Sequence, residues 1–286
     1  VGEQVAVKQI TAEVRGDRRQ VDISADSVDL ADRSWPGPRL EVSRQEARGA
    51  KFGGDWPISG KIALQLNGRA DLAGGPSASV SVKTGDVALV DVTPLIPGLA
   101  DRDDITVDGT VNVSGEVAFA GGRITPRFTV ELRDASVSRD DGKQRVTGLA
   151  GQIVVDRLQP LSTPGGQRLT WQAARLGDVE FGHGNVSFRV ESPRSMLVER
   201  LYWGLGDQSR LSAHAFRLDP LDLRIETELF VEHLSVAQWV EIITFGRISG
   251  EGRLTGRLPI RVVPGADVPV TLGSGYLAAE GQGVLR

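Results

Sequence analysis

The stretch ITVDGTVNVSGEVAF, residues 105–119, alternates apolar and polar side chains over its whole length. Its odd positions carry valine, isoleucine, phenylalanine and two glycines, and its even positions are mostly polar. Successive side chains of a β-strand point to opposite faces of a sheet, so this stretch predicts a strand with one apolar face and one wet face. A strand of about 15 residues spans roughly 50 Å. Gly109 and Gly115 are suitable places for such a strand to bend.

The same alternation recurs at residues 61–67, 128–132, 221–231 and 248–262. Turn signals rich in glycine, aspartate and proline separate the runs, at residues 16–18, 73–76, 121–122, 140–142 and 164–166. The chain has 40% hydrophobic residues, 5% aromatic residues, 35 Gly and 14 Pro, which favours strands and turns over helices. We therefore predict an all-β fold: an elongated, curved, mostly antiparallel sheet that forms a groove.

One segment has helical periodicity. Residues 235–245 place Val236, Trp239, Val240 and Ile243 on one face, and Ser235 and Gln238 at their start have the spacing of a capping box. A shorter turn is predicted at residues 93–99, where Pro94 and Pro97 keep it brief. The sequence thus predicts one short helix near residues 235–245 within an otherwise β chain.

The apolar positions of the alternating runs are predicted to line the groove. They are Ile62, Leu64, Leu66, Ile105, Val107, Val111, Val113, Val117, Phe119, Phe128, Val130, Leu132, Ile248, Leu254, Leu258, Ile260 and Val262. A further set of aromatic residues is predicted either to pack at strand ends and over the groove mouth or to contact a ligand or membrane. These residues are Trp171, Phe181, Phe188, Trp203 and Trp239.

Composition and motifs argue against several functions. The net charge of -4 leaves no basic surplus for nucleic acid, and the absence of Cys excludes thiolate sites and disulfides. The three histidines are far apart in sequence, and no P-loop or G-x-S-x-G motif occurs. We expect no enzyme activity, no cofactor and no metal.

The run from Ile248, ISGEGRLTGRLPIRV, aligns without a gap with the run from Ile105, at an offset of 143 residues, and a weaker copy begins at Ile58. This predicts one continuous β-groove segment with approximate repeat units 1–104, 105–247 and 248–286. The chain starts at Val1 and stops within a strand-like pattern, so we expect it to continue in a longer protein.

Three stretches near the end of the chain resemble a known family: SGEGRLTGRLPIRV at residues 249–262, GYLAA at 275–279 and GVLR at 283–286. They are similar to the signature of YdbH-type proteins, which belong with the AsmA-like bridge-type lipid-transfer proteins and whose domain is also called dicarboxylate-transport-like. The resemblance extends to GQIVVDRL at residues 151–158 and to Asp219-Pro220, and covers roughly the C-terminal half. Gly281-Gln282-Gly283 departs from the Pro-Gly-Gly that the family pattern has there.

The resemblance implies intermembrane phospholipid transport along an apolar groove that bridges the inner and outer membranes through the periplasm. Its implied partners are phospholipid acyl chains, both membranes through flanking segments, and a small outer-membrane lipoprotein that extends the sheet. The implied full-length protein is anchored in the inner membrane of a bacterial cell envelope.

Two other functions compete with lipid transport. A structural or adhesive β-sandwich or solenoid would cover the same apolar face with a second layer of protein, which alternation alone does not distinguish. A dicarboxylate carrier would need Arg or Lys side chains converging on the inner face, whereas the inner positions assigned above are apolar.

Overall fold

The computed structural model of the chain describes residues 5–15, 20–30, 33–45, 49–71, 75–96, 99–100, 102–139, 142–158, 160–176, 179–206, 208–220, 222, 224–237, 250–263, 270–281 and 284–285. The first strands are β1 Val5–Arg15, β2 Gln20–Leu30, β3 Arg33–Pro36, β4 Arg39–Arg44, β5 Gly49–Pro57, β6 Ala63–Asp71, β7 Ser77–Lys83 and β8 Val87–Ala88. Three long strands follow, β9 Ile105–Ala120, β10 Arg123–Arg139 and β11 Gln144–Val155. The next are β12 Arg157–Leu158, β13 Leu161–Ser162, β14 Gln167–Trp171, β15 Ala173–Leu176, β16 Val179–Phe181, β17 Gly184–Ser192, β18 Ser195–Gly204 and β19 Arg210–Leu218. The last are β20 Ile225–Ser235, β21 Gly250–Glu251, β22 Arg253–Val262, β23 Val270–Leu272, β24 Tyr276–Ala279 and β25 Val284–Leu285.

Hydrogen-bonded pairing joins 21 of these strands in one sheet, and the pairs β12–β13 and β21–β25 form two small sheets. Neighbouring strands run antiparallel in each pairing described below. The predicted all-β, mostly antiparallel fold is therefore confirmed. Strand β9 covers residues 105–120, so the alternating run at residues 105–119 lies in one strand.

The chain divides into two compact units. Unit 1 comprises Val1–Leu95, Thr110–Glu131 and Val154–Leu158, and unit 2 comprises Ile96–Gly109, Leu132–Ile153 and Gln159–Arg286. Unit 1 is a meander in the order β1, β2, β4, β5, β6, β7 and β9, in which β3 also pairs with β2 and β8 with β9. The three sequence repeats stay a prediction.

Unit 2 is a second meander, in which β11 pairs with β14 and β15, and the order continues through β17, β18, β19, β20 and β22 to β23 and β24. Each strand therefore lies next to its neighbour in sequence or close to it. Closing such short connections costs little conformational entropy.

Glycines in the strands make room for aromatic rings from the adjacent strand. A Cβ on Gly68 would lie 2.3 Å from Cζ of Phe52, and one on Gly115 would lie 2.3 Å from Cδ1 of Phe128. Both distances are far inside van der Waals contact, so any larger residue would displace the ring. Gly115 is a predicted bending point of β9, and close packing also requires a glycine at this position.

Positive backbone φ angles occur at four non-glycine strand positions: Gln9, Asp134, Ala215 and His233, with φ between 47° and 53°. At three of these positions, two consecutive residues are exposed to water and the residue that follows them is buried. Exposed Arg133 and Asp134 separate half-buried Leu132 from buried Ala135, and His214–Ala215 and Glu232–His233 are exposed in the same way. Each such residue shifts the alternation by one position and so keeps apolar side chains on one face. At His233 the shift is a β-bulge, because the pairing of β20 with β22 changes register between Val231 and Leu234.

The turn between β9 and β10 consists of Gly121 and Gly122, with φ of 57° and 75°. Two consecutive positive φ angles are the requirement of a two-residue type I′ hairpin, which explains why both residues are glycine. The predicted turn at 164–166 also has a positive φ, 74° at Gly166. The predicted turn at 16–18 and residues 73–74 and 140–141 of two other turns lie outside the described residues.

Two short helical elements follow β8: helix α1, Leu89–Val92, and a 3-10 turn, Thr93–Leu95. The brief turn predicted at residues 93–99 is confirmed over Thr93–Leu95, whereas residues 97–98 lie outside the described residues. Of the helix predicted at 235–245, Ser235 ends strand β20, Val236 and Ala237 are helical, and residues 238–245 lie outside the described residues. None of the helices in the described ranges has the length and apolar character of a membrane span.

Candidate functional site

The register of unit 1 aligns apolar side chains in rows that cross seven strands. Residues directly opposite one another across antiparallel strands lie on the same face of the sheet. One row consists of Ala12, Ile23, Leu40, Gly54, Leu66, Val82 and Gly115, and the next of Val14, Val21, Val42, Phe52, Gly68, Val80 and Val117. No polar side chain interrupts either row.

The opposite face of unit 1 carries polar rows. The row between the two above consists of Glu13, Asp22, Glu41, Gly53, Asn67, Ser81 and Glu116. The two faces of this sheet therefore differ completely in chemistry. The difference follows from alternation with a period of two, held in register across every strand.

Unit 2 has the same organisation. One apolar row runs through Trp171, Gly184, Trp203, Leu211, Val231, Gly256 and Leu277, and a second through Gly151, Leu169, Val186, Leu201 and Ala213. On this face, the buried residues Val198, Ala213 and Phe216 form a cluster with half-buried neighbours such as Met196 and Leu229.

The apolar face of unit 1 is only half-covered. Its central residues Ile23, Leu40, Phe52 and Val80 are half-buried, and at the β1 end Ile10 and Val14 are 64% and 61% exposed. Among the described residues of this unit, the elements outside the 21-stranded sheet are α1, the 3-10 turn and the two-residue strand β12. These are too short to form a second layer over seven strands.

The register places most of the predicted lining residues on the apolar faces. In unit 1, Leu66 and Val117 belong to the rows above, Phe119 lies opposite Ala78, Leu64 opposite Trp56, and Val111 opposite Val87. Val113, two residues along β9 from Val111, lies on the same face. Phe128 fills the space beside Gly115, and Val130 follows it on the same side of β10. Ile62 is buried in the turn between β5 and β6 rather than in a strand.

In unit 2, three predicted residues of β22 lie opposite residues of β20: Leu258 opposite Leu229, Ile260 opposite Thr227, and Val262 opposite Ile225. Leu254 lies opposite Leu234, beyond the register shift at His233. Ile105 and Leu132 are half-buried and Val107 is buried. Ile248 and the aromatic residue Trp239 lie outside the described residues.

Several apolar residues on these faces were not predicted. They include Val21, Ile23, Leu40, Val42, Phe52 and Val80 in unit 1, and Val186, Leu201, Leu211 and Val231 in unit 2. Val21 and Ile23 alternate with Gln20, Asp22 and Ser24, so the signal was present in the sequence. Each of these alternating runs was too short, or was interrupted by a bulge, and so could not be recognised as a strand from its own sequence.

A hollow of about 1050 Å³ in unit 1 opens on the polar side instead. Most of its lining residues belong to polar rows, among them Glu13, Asp22, Glu41, Arg39 and Lys51, and none of the predicted lining residues contributes. Three carboxylates against two cations do not make a site for an anionic small molecule. The hollow therefore gives no support to a dicarboxylate carrier.

Cross-strand ion pairs hold the polar face of unit 2. Arg217 donates hydrogen bonds to both carboxylate oxygens of Glu191, at 2.9 and 3.2 Å. Ser195 Oγ donates to the same carboxylate at 3.1 Å, as does Arg189. These hydrogen bonds, chiefly those from Arg217, lower the pKa of Glu191 to about 2.

We expect Arg217→Leu to raise the pKa of Glu191 toward its usual value of 4.5. Because the folded-state pKa is depressed, this carboxylate stabilises the fold above its unfolded pKa, and that contribution is lost as the pH falls through about 2. In the variant, most of this loss of stability at low pH should be absent. Carboxyl-carbon NMR titration of Glu191, with urea unfolding at several pH values, measures both effects. An unchanged Glu191 titration in the variant would contradict the assignment.

No group of three His, Asp or Glu side chains in the described part of the chain could hold a metal ion. The structure thus offers, in the ranges it describes, two units whose strands carry continuous apolar rows on one face and mostly polar side chains on the other.

Comparison with known proteins gives one match. A protein-family model described as YdbH-like, "Intermembrane phospholipid transport protein YdbH", matches residues 4–286. Searches of curated proteins and of solved structures gave no match.

Proposed function

The chain belongs to the YdbH-like family of intermembrane phospholipid transport, and from this premise we propose that its apolar faces hold the acyl chains of phospholipid in transit. The observation that carries the proposal is the register of the strands in each unit. In each unit it gives rows of apolar side chains that cross five to seven strands with no charged residue among them.

The energetics of lipid transfer require such a face. Each CH₂ group removed from water is worth about 0.8 kcal/mol, so a two-chain lipid in water faces a cost on the order of tens of kcal/mol. Contact with a continuous apolar row removes much of this cost. Valine, leucine and isoleucine at successive positions offer similar contacts, so neighbouring sites differ little in affinity and a chain can pass from one to the next.

The face must also be open to lipid. Half-buried side chains such as Leu40, Phe52 and Val80 are available for contact, whereas Val111 is 5% exposed beside β8. We propose that the half-buried rows, rather than the fully buried positions, form the contact surface. The fully buried residues hold the strands together.

The membrane partners are part of the same proposal. The family description places transport between membranes, which suits the periplasm of a bacterial envelope. We propose that the full-length protein is anchored in the inner membrane and that a small outer-membrane lipoprotein extends the sheet. Antiparallel edge strands accept such an added strand through backbone hydrogen bonds.

Site-specific photo-crosslinking in intact envelopes tests the proposal. The probe replaces Val80 in unit 1 or Leu258 in unit 2, both half-buried on apolar rows. Matched controls carry the probe at Ser81 and Arg257, the adjacent positions on the polar faces. We expect phospholipid adducts from Val80 and Leu258 and none from the controls.

Protein adducts alone from Val80 and Leu258 would mean that another layer of protein covers these faces. The β-sandwich or solenoid function would then replace lipid transport. Lipid adducts at all four positions would indicate non-specific contact with membrane, and would equally contradict an acyl-chain path confined to the apolar faces.

A further inference from the structure

Two tryptophan side chains in unit 2 have buried indole N–H groups with no hydrogen-bond acceptor among the described residues. They are Trp171 and Trp203. Buried polar groups in native proteins are nearly always paired, and a buried Trp N–H usually finds an acceptor. In unit 1, for example, Trp56 Nε1 donates to the Pro36 carbonyl oxygen at 2.6 Å.

The two indoles lie together on the apolar face. Trp171 and Trp203 both pair in register with Gly184, from opposite sides. A Cβ on Gly184 would lie 2.3 Å from Cζ2 of Trp171, so the missing side chain is what allows the indoles to meet over the strand. Their rings are 5.7 Å apart at an angle of 82°, and Phe181 packs 4.6 Å from Trp203.

The surroundings define the acceptor that could pair with these donors. Along the row, the next residues are Leu211 and Val231, which offer no charge to balance an anion. A phosphate brought to this position would have to shed its water without a cation nearby, which is costly. A neutral carbonyl oxygen attached to an apolar chain meets both requirements. The ester carbonyl of an acyl chain is such a group.

We propose that Trp171, Trp203 and Phe181 form a station on the apolar face that binds the ester carbonyl of an acyl lipid through the two indole N–H groups. This inference rests on the proposed function and adds a chemical requirement to it. The rows elsewhere accept any hydrocarbon chain, whereas the tryptophan station distinguishes an ester-linked chain from an ether-linked one. A lipid bound at this position would have its glycerol ester beside the aromatic rings.

The test compares two phospholipids with the same headgroup and chain length, one with ester and one with ether linkages. Binding of each to the protein in detergent micelles is measured by titration, and the indole N–H signals are followed by ¹⁵N NMR. Because a net hydrogen bond changes affinity by roughly 2- to 10-fold, we expect the ester lipid to bind about fivefold more tightly. It should also shift the Trp171 and Trp203 indole signals downfield.

The variants Trp171→Phe and Trp203→Phe keep an aromatic ring and remove one donor each. Each should reduce the preference for the ester lipid while binding of the ether lipid stays within about twofold. The matched control is Tyr202→Phe, which removes one hydroxyl group from the neighbouring residue on the opposite face. It should leave the preference unchanged.

Equal affinity of the wild-type protein for both lipids would overturn the station and leave acyl-chain binding intact. Equal shifts of the indole signals with both lipids would also overturn it, because bound water would then be the acceptor. Failure of both lipids to bind would overturn the proposed function as well as the station.

Discussion

Glutamate in place of Val117 is expected to reduce phospholipid transfer by about 100-fold or more, with the fold preserved. Val117 is half-buried in β9 and continues the apolar row through Val80, Gly68 and Phe52. An acyl chain that covers the new carboxylate must strip it of water, at a cost of several kcal/mol. Each 1.4 kcal/mol added to a barrier slows passage about tenfold. Transfer of labelled phospholipid between donor and acceptor membranes by the full-length protein measures the loss.

The control for this variant is Ala118→Glu. Ala118 is the next residue of β9 and lies opposite Ser79, on the polar face. A glutamate there adds the same charge to the same strand without entering the apolar row, so transfer should stay within about twofold of the wild-type rate. Circular dichroism and urea unfolding of both variants confirm that they fold. Equal transfer by the two variants would mean that lipid does not pass over this row.

The two-sided sheet could be predicted because its signal is local. Alternation in β9 determines which side chains share a face, and a register that preserves one apolar face is the one that buries it. The turn at Gly121–Gly122 was also predictable, since two glycines between alternating strands indicate a type I′ hairpin. These features depend on residues that are adjacent in sequence.

The shifts of alternation within strands could not be predicted in the same way. At Ala215 and His233, a non-glycine residue adopts a positive φ, which is uncommon for residues other than glycine. The cross-strand contacts of buried Phe216 and Leu234 stabilise these conformations, because without the shift both residues would face water. Alternation appears broken there in sequence, although the apolar face is continuous in the sheet.

The tryptophan station illustrates the same limit for the site. The sequence identified Trp171, Phe181 and Trp203 as aromatic residues of interest, but it favoured packing over ligand contact and did not place them together. The register of β14, β17 and β18 around Gly184 brings Trp171 and Trp203 together, although these two residues are 32 positions apart in the chain. Local periodicity does not predict contacts across strands between residues so far apart in the chain.

Close backbone approach at Gly54 leads to the second prediction: Gly54→Ala should destabilise the protein by about 3 kcal/mol. A Cβ at this position would lie 1.9 Å from the Arg39 carbonyl oxygen and 2.9 Å from Cα of Leu40. These are backbone atoms of β4, which a rotamer change cannot move aside. Strand β5 is also held on its other side by β6, so it cannot shift without breaking that register. Equilibrium urea unfolding followed by circular dichroism measures the change.

Gly60→Ala is the matched control, because Gly60 lies in the turn that follows β5 and an added Cβ there would meet no atom within 4 Å. Alanine at that position should change stability by less than about 1 kcal/mol, and could increase it by reducing the entropy of the unfolded chain. Similar effects of the two substitutions would mean that the strands can separate at Gly54 with little cost. The apolar rows would then be held less firmly than their register implies, because Gly54 lies within one of them, between Leu40 and Leu66.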